Sequence, residues 1–497
     1  MEMFFAPQGF LHPELSLSVQ MFMRVVYGML LCGMLLLAIP NWRRFFLSER
    51  WGGYAQSLRE VEFIQNPLVF PLVMAVWFAC GVCITGGWWT PWPALLNLVL
   101  CRYFFVGMRW KGLLRGMGAP GYILYWGGLA ITVLEYTLHY APELRSLALQ
   151  VLQADFACVY ISSGVYKLSA GYAKNHGMEL GMTNPAWGYW WKHYQHFSPS
   201  HPLFRFLNHL AWSSQIIAGI LMLLPPTRFI GGMIIFGMFA FIATQIRLGL
   251  LCEIVMFCSS LIFLHPGSLG DIVVTAVVGQ VQSPSVASFA FSSVANTVLG
   301  WALAIYLILL PFAHVGLSYN FYLRRSLPKP LQMALERYTN FFGLIVWRVF
   351  SVDSVNFFIR IYHYPKAHES DRQLISDESV GARLRFGHVA ESIVLACIFT
   401  TLKYYPHNSG LFHERLLRYA RTFPCEKGEL LIFEYLSLRK EPDRFVFAPV
   451  AEYTVDTAAM TVVERVIDPS VSVRAPHAVS PVHEGVRPGT YAPAGGR

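Results

Sequence analysis

Charge is what this sequence has least of. Only 13% of its 497 residues are Asp, Glu, Lys or Arg, against roughly 25% in ordinary soluble domains. So few charges cannot coat the surface of a chain this long in water, which argues against a wholly soluble protein. The sequence carries no Gly-rich phosphate loop and no nucleophile elbow, the usual signatures of nucleotide-binding and acyl-transfer sites. No RNA- or DNA-binding motif accompanies the net charge of +9, so no nucleic-acid partner is expected. Cysteines do not form a disulfide framework. Cys32, Cys80, Cys83, Cys101, Cys158, Cys252 and Cys258 lie in or beside apolar runs, where a free Cys packs as a small hydrophobe. Met1 to Pro13 lacks the basic stretch of a cleaved signal peptide, and the first apolar run is long enough to span. There is no internal repeat and no pair of interrupted helices, which counts against a transporter.

What is present is apolar length. Hydrophobic residues make up 55% of the chain and aromatics 15%. Trp and Tyr gather at the ends of the apolar runs, as at membrane–water interfaces. A membrane span needs about 20 apolar residues, and about nine segments qualify on that pattern. They are 19–40, 68–89, 94–108, 122–140, 147–168, 206–224, 229–246, 248–264 and 294–314. Basic residues follow alternate spans: Arg43, Arg44, Arg50 and Arg59; Arg109, Lys111 and Arg115; Lys174, Lys192 and Arg205; Arg324, Arg325 and Lys329. That bias puts the N-terminus outside and the C-terminus in the cytoplasm. It also makes the lipid bilayer, with its anionic headgroups, the expected partner of the positive charge.

Two connections are unusual. Residues 41–66 are amphipathic and aromatic, suited to lying along the interface. Residues 171–205 are denser still, with Trp187, Tyr189, Trp190, Trp191, His193, Tyr194, His196 and Phe197. This loop is expected to fold over the mouth of the bundle, with ring bodies and polar tips both satisfied there. His193, His196, His201 and His209 are spaced like loose metal ligands, but no Cys or carboxylate cluster joins them, so no metal site is expected.

The expected fold is an all-α polytopic membrane bundle, residues 1–315, with a small C-terminal α+β soluble domain, 316–467. Residues 391–405 read as a soluble helix, and 429–438 and 445–467 as strands, with a hairpin at 450–467. The tail 468–497, rich in Pro, Gly, Ser and Val, is expected to stay unfolded. The soluble domain is a candidate docking site for a protein partner.

Ionisable residues inside spans cost roughly 2.5 to 3.5 kcal/mol each at the membrane centre, so each needs a reason. Glu135 and His139 are four apart on one helix face. They form either a pair toward the interior or an interfacial pair. Asp155 and Lys167 share a span but lie about 18 Å apart along it, too far to pair.

The fifth span closes on Val159-Tyr160-Ile161-Ser162-Ser163-Gly164-Val165-Tyr166-Lys167-Leu168, and a loop with Gly177-Met178-Glu179 follows. This resembles the horizontally transferred transmembrane (HTTM) domain, the membrane region of vitamin K-dependent gamma-carboxylases and their bacterial relatives, in which a helix closes on Gly-x-x-Lys-Leu. Met21-Phe22-Met23-Arg24-Val25-Val26-Tyr27-Gly28 is similar to that family's first helix, and Cys258-Ser259-Ser260-Leu261-Ile262-Phe263 to its last shared one. The resemblance implies a quinol cofactor such as vitamin K hydroquinone, with Lys167 as the base acting on it. That chemistry asks for an amine that is neutral near pH 7, and an apolar surrounding disfavours the charged form. The site expected on this basis is Lys167 as catalytic residue, with Glu135, His139, Asp155, Trp187, Trp190, Trp191 and His193 as pocket. The chain departs from the carboxylases elsewhere. Residues 110–125 contain no His or Asn where the family carries Asn-Asn-His, no His lies between His209 and His265, and Gln215 stands where an acidic residue is common. Two functions therefore stand side by side: a membrane enzyme using a quinol or other lipid-soluble substrate, and a non-enzymatic scaffold or accessory subunit.

Overall fold

The first long helix, α1 (Leu17–Ala38), starts where Ser16 accepts a hydrogen bond from the backbone N–H of Val19. That bond satisfies one of the donors a helix start leaves open. In this computed structural model, residues 13–55, 59–106, 118–281, 292–323, 325, 327–344, 346–347, 352–365, 372–376, 386–425, 428–470 and 473 are described. The expected unfolded tail therefore falls almost wholly outside the described residues.

Five helical stretches are long and apolar enough to cross a membrane: Leu17–Phe45, Pro142–Ser169, Pro202–Leu223, Pro225–Gln245 and Ser293–Tyr322. Shorter apolar helices occupy other expected spans, at Phe70–Gly86, Trp92–Val106 and Leu251–Leu261, and a further one covers Leu269–Val278. We number the main helices after α1 as α2 (Phe70–Gly86), α3 (Trp92–Cys101), α4 (Gly118–Tyr140), α5 (Arg145–Ser169), α6 (Met178–Thr183), α7 (Pro202–Leu223), α8 (Arg228–Gln245), α9 (Leu251–Leu261), α10 (Leu269–Val278), α11 (Ser292–Tyr322) and α12 (Lys329–Phe342). Helix α4 carries Glu135 and His139 on its last two turns.

The domain boundary expected at residue 315 falls inside α11, which continues to Tyr322. The chain then doubles back. Helix α12 runs beside α11 in the opposite sense: Asn320 donates to Gln332, Leu335 lies against Gly316, and the Tyr338 hydroxyl donates to the carbonyl of Tyr306. Gly343 ends α12 in the left-handed region (φ 74°), a conformation natural to glycine. Beyond it, Leu344 and Trp347 are buried among the bundle helices, 1% and 2% exposed. Apolar side chains this deep in the bundle belong to its core, although sequence patterning put them in the soluble part.

The C-terminal domain holds α13 (Phe386–Tyr404), α14 (Ser409–Ala420) and a five-stranded antiparallel sheet. Its strands are β1 (Phe357–Pro365), β2 (Gln373–Leu374), β3 (Glu429–Lys440), β4 (Phe445–Asp456) and β5 (Thr461–Val466), in the order β2-β1-β3-β4-β5. The hairpin expected over 450–467 is β4–β5. A bulge opposite Tyr435/Leu436 adds one residue to β4 next to Pro449, a place where a strand tolerates a residue with no N–H. The extra residue inverts the side-chain alternation. Tyr453 packs on Phe399 and Phe412 of α13 and α14. Phe447 and Phe445, of the same odd parity, instead meet Trp191 and Phe204 of the membrane part. One face of the sheet is thus covered by its own helices and the other by the aromatic loop 171–205.

Candidate functional site

Helices α5 and α7 touch almost backbone to backbone. A Cβ on Gly164 would lie 2.6 Å from Cγ1 of Ile216 and 2.9 Å from the carbonyl oxygen of Trp212, and one on Gly219 would lie 2.5 Å from Cγ1 of Ile161. Small residues permit this approach in membrane bundles. The glycine of the Gly-x-x-Lys segment therefore has a local reason: it brings α7 close enough for Lys167 to reach. The Lys167 amine donates to Gln215 Oε1 at 2.8 Å on α7 and to Ser163 Oγ at 3.2 Å one turn back on α5. The residue is 3% exposed. Both acceptors are neutral, and among the described residues no acid pairs with this amine. A neutral primary amine has two N–H donors and one lone pair. In that form the two acceptors would match the donors and leave the lone pair unengaged.

The other expected pocket residues do not gather at Lys167. Glu135, 2% exposed, anchors a polar knot at the opposite end of the bundle. It accepts from Gln20 Nε2 and Thr90 Oγ1, both at 3.0 Å, with Arg24 at 3.9 Å and His139 at 3.8 Å. Arg145, at the start of α5, donates to the same Gln20 at 2.8 Å. From Arg145 to Lys167 is about 33 Å along the helix at 1.5 Å per residue. Asp155 sits between the two ends and accepts from Trp126 Nε1 at 2.8 Å and the Tyr306 hydroxyl at 2.9 Å.

The loop residues separate as well. Trp187 is buried, and its carbonyl accepts the Arg247 N–H at 2.8 Å. Trp190 is 52% exposed, with its indole N–H on the carbonyl of Thr244. Trp191 meets Phe447 of the sheet edge to face, and His193 packs on Tyr194 and Phe197. The pocket expected from the sequence is thus corrected to three separate sites, the Glu135 knot, the Asp155 pair and the Lys167 amine, while Trp191 of the loop packs on Phe447 of the sheet. A crevice between Pro185, Ala186 and Trp187 and the Phe358, Glu391 and Leu395 side chains encloses about 40 Å³, room for water rather than for a substrate. No group of three or more His, Cys, Asp or Glu among the described residues could hold a metal ion.

Sequence reasoning missed a cluster close to the amine. Glu179, fully buried, takes the Gly177 N–H at 3.0 Å on each oxygen and Asn208 Nδ2 at 2.7 Å, and it is ion-paired with Lys440 of β3. Asn208 lies seven residues before Gln215 on α7, two turns along the same face. The signal was present in part, since Glu179 belongs to the quoted Gly-Met-Glu segment. Lys440, far along the chain, carried none. A second joint lies at the interfacial segment. Arg44 donates to Glu391 and Thr422 at 3.0 Å and to Tyr419 at 2.7 Å, with its guanidinium 3.9 Å from the Phe423 ring centre.

No family model, no curated protein and no solved structure matches this chain.

Proposed function

We propose that the chain is a multi-pass membrane enzyme of the HTTM type in which Lys167 takes a proton from a lipid-soluble substrate. The observation that carries this reading is the buried amine held by two neutral acceptors, Ser163 and Gln215, with no acid paired to it among the described residues. A base must offer a lone pair within reach of the proton it removes. In the step, the substrate O–H bond breaks, its proton joins Nζ, and the electron pair stays on the substrate oxygen. A quinol fits such a step because its hydroxyl is acidic and its body is apolar. Carboxylation is left out of the proposal. The chain has no His or Asn in 110–125 and places neutral Gln215, not an acid, against the lysine. We read the shorter apolar helices at Phe70–Gly86, Trp92–Val106 and Leu251–Leu261, together with α4, as further membrane segments, about nine in all with the five long ones.

Oxygen-dependent turnover of a quinol by the purified full-length protein tests the reading. Lys167→Met should abolish turnover and leave the fold intact, since it keeps the stem and removes the amine. Lys167→Arg should fail equally, because guanidinium stays protonated. Full activity in Lys167→Arg would sink the base role.

A second reading is a non-enzymatic scaffold whose C-terminal domain binds a protein partner. It draws on the dispersal of the polar groups and on the rings of loop 171–205 that seat the sheet. Absence of turnover with every quinol tried, together with a partner captured through the C-terminal domain, would favour it.

A further inference from the structure

Arg24 is a charge placed two turns into the apolar helix α1. Glu135 of α4 is its ion-pair partner at 3.9 Å, and His139 stands 3.8 Å from the same carboxylate oxygen. Both separations exceed hydrogen-bond length. That oxygen already accepts from Thr90 and its twin from Gln20, each at 3.0 Å. Among the described residues neither Arg24 nor His139 makes a hydrogen bond, and Arg24 Nε is buried with no partner. A guanidinium carries five N–H donors in a fixed fork, and here they stay unused. The group is nonetheless held in place. It lies over the Gly87 turn, left-handed at φ 74°, where a Cβ would collide with it. The Arg24 and His139 side chains are 14% and 25% exposed, against 3% for Glu135, so the cationic groups open outward and the acid backs them. Arg145 donates to the same Gln20. The cluster thus sets two guanidinium groups and an imidazole against one carboxylate, an excess of positive charge.

The surroundings suit a lipid. Trp92, at the start of α3, is exposed and lies 6.4 Å from the ring of Tyr140, the neighbour of His139. Leu95, Leu96 and Val99 follow it at spacings of three, four and seven, all exposed, which makes one apolar stripe on one helix face. Trp rings sit at headgroup level in a bilayer, and a stripe running inward from one offers an acyl chain a surface.

We propose that Arg24 and His139 form a binding site for the phosphate group of an anionic lipid, with an acyl chain lying along the α3 stripe. The guanidinium fork matches two phosphate oxygens, and the imidazole N–H donates to a third. The site lies at the opposite end of the bundle from Lys167, so it does not depend on the base reading.

Native mass spectrometry of the full chain in detergent tests this, because it counts the lipids bound to each molecule. The probe is dioleoyl phosphatidic acid, and dioleoyl phosphatidylcholine, with the same chains and no net charge, is the control. The expected result is one phosphatidic acid held per chain at concentrations where phosphatidylcholine gives none. Arg24→Gln and His139→Gln should each weaken that binding at least several-fold. His139 makes no hydrogen bond, so its variant keeps the test open even where Arg24→Gln does not fold. Arg50→Gln, at an exposed cation elsewhere, should leave binding unchanged. Equal affinity for the two lipids overturns the proposal, and so does unchanged affinity in His139→Gln. An equal loss in Arg50→Gln would point to general charge attraction and overturn it too. Inorganic phosphate at millimolar concentration should leave the lipid bound; displacement would give the site to a soluble anion and refute the lipid assignment.

Discussion

Lys440, the last residue of β3, is ion-paired with Glu179, a carboxylate with no exposed surface in the loop after α5. The two lie 261 positions apart in the chain. The lysine also donates to the Asn175 carbonyl at 3.1 Å and lies 3.0 Å from His176 Nδ1. A buried carboxylate is tolerated when its lone pairs are filled, and here Gly177, Asn208 and Lys440 fill them. The C-terminal domain thus completes the charge balance of the helical part.

Lys440→Met is expected to destabilise by about 3 kcal/mol, the lower end for breaking a buried pair, because the lysine end is partly exposed. Glu179→Gln in the same chain should recover part of that loss, since it removes the stranded charge. Thermal unfolding of the two single variants and the double variant measures the coupling. Additivity within about 0.5 kcal/mol would show that the pair contributes nothing of its own.

Gly164→Ala should cost about 1 to 3 kcal/mol through overpacking, as its methyl would meet Ile216 and the Trp212 carbonyl. Gly237 provides the control, because a Cβ there meets nothing within 4 Å. Gly237→Ala should be neutral or slightly stabilising through helix propensity. Equal effects at the two positions in a melting assay would contradict the close α5–α7 contact.

Lys403 makes a pH prediction in the C-terminal domain. Its amine is buried, donates to the Asp353 carbonyl at 3.0 Å and to Asn356 Oδ1 at 2.9 Å, and is pushed down by burial from 10.5 to about 8, against an opposing pull from Asp353. Between those two values the unfolded chain holds a proton that the folded one does not. Stability of the domain should therefore rise with pH from about 8 to about 10.5, by about 3 kcal/mol, and be flat in this term below about 8. Lys403→Met should remove that slope. Denaturant titrations across the alkaline range decide it, and an unchanged slope in the variant would rule Lys403 out as the source.

Asn184 joins the aromatic loop to the sheet. Its amide nitrogen donates to the carbonyls of Val355 and Phe357, each at 2.8 Å, and the residue is fully buried. Asn184→Ala strands those carbonyls and should cost about 1 to 3 kcal/mol. Hydrogen exchange should speed up at the start of β1 before it does so in β4. Uniform exchange across the sheet would show that this joint is not where the domain is held.

The membrane helices and the hairpin strands were legible because their signals are local. Apolar runs such as 206–224 and 294–314 announce a span by composition, and 429–438 and 450–467 announce strands by alternation and β-branched content. Lys167 was legible as a candidate because a charged residue closing an apolar helix has to be explained. The pocket around it was not. Glu135, Asp155 and Trp190 were each noticed for a sound chemical reason, yet about 33 Å of helix separates Arg145 at the Glu135 end from Lys167, and periodicity says nothing of which helices become neighbours.

The sequence by itself determined that this chain carries membrane-length apolar helices, a small sheet near its C-terminal end and a buried-type lysine at a helix end, since all three follow from hydropathy and side-chain period along short stretches. Only the tertiary structure decided that Gly164 and Gly219 bring α5 and α7 together so that Gln215 meets Lys167, that Lys440 returns to Glu179, and that Trp347 re-enters the bundle. These are contacts between residues far apart in the chain. They depend on which helix faces pack and how closely, a choice set by the whole core at once and written in no single segment.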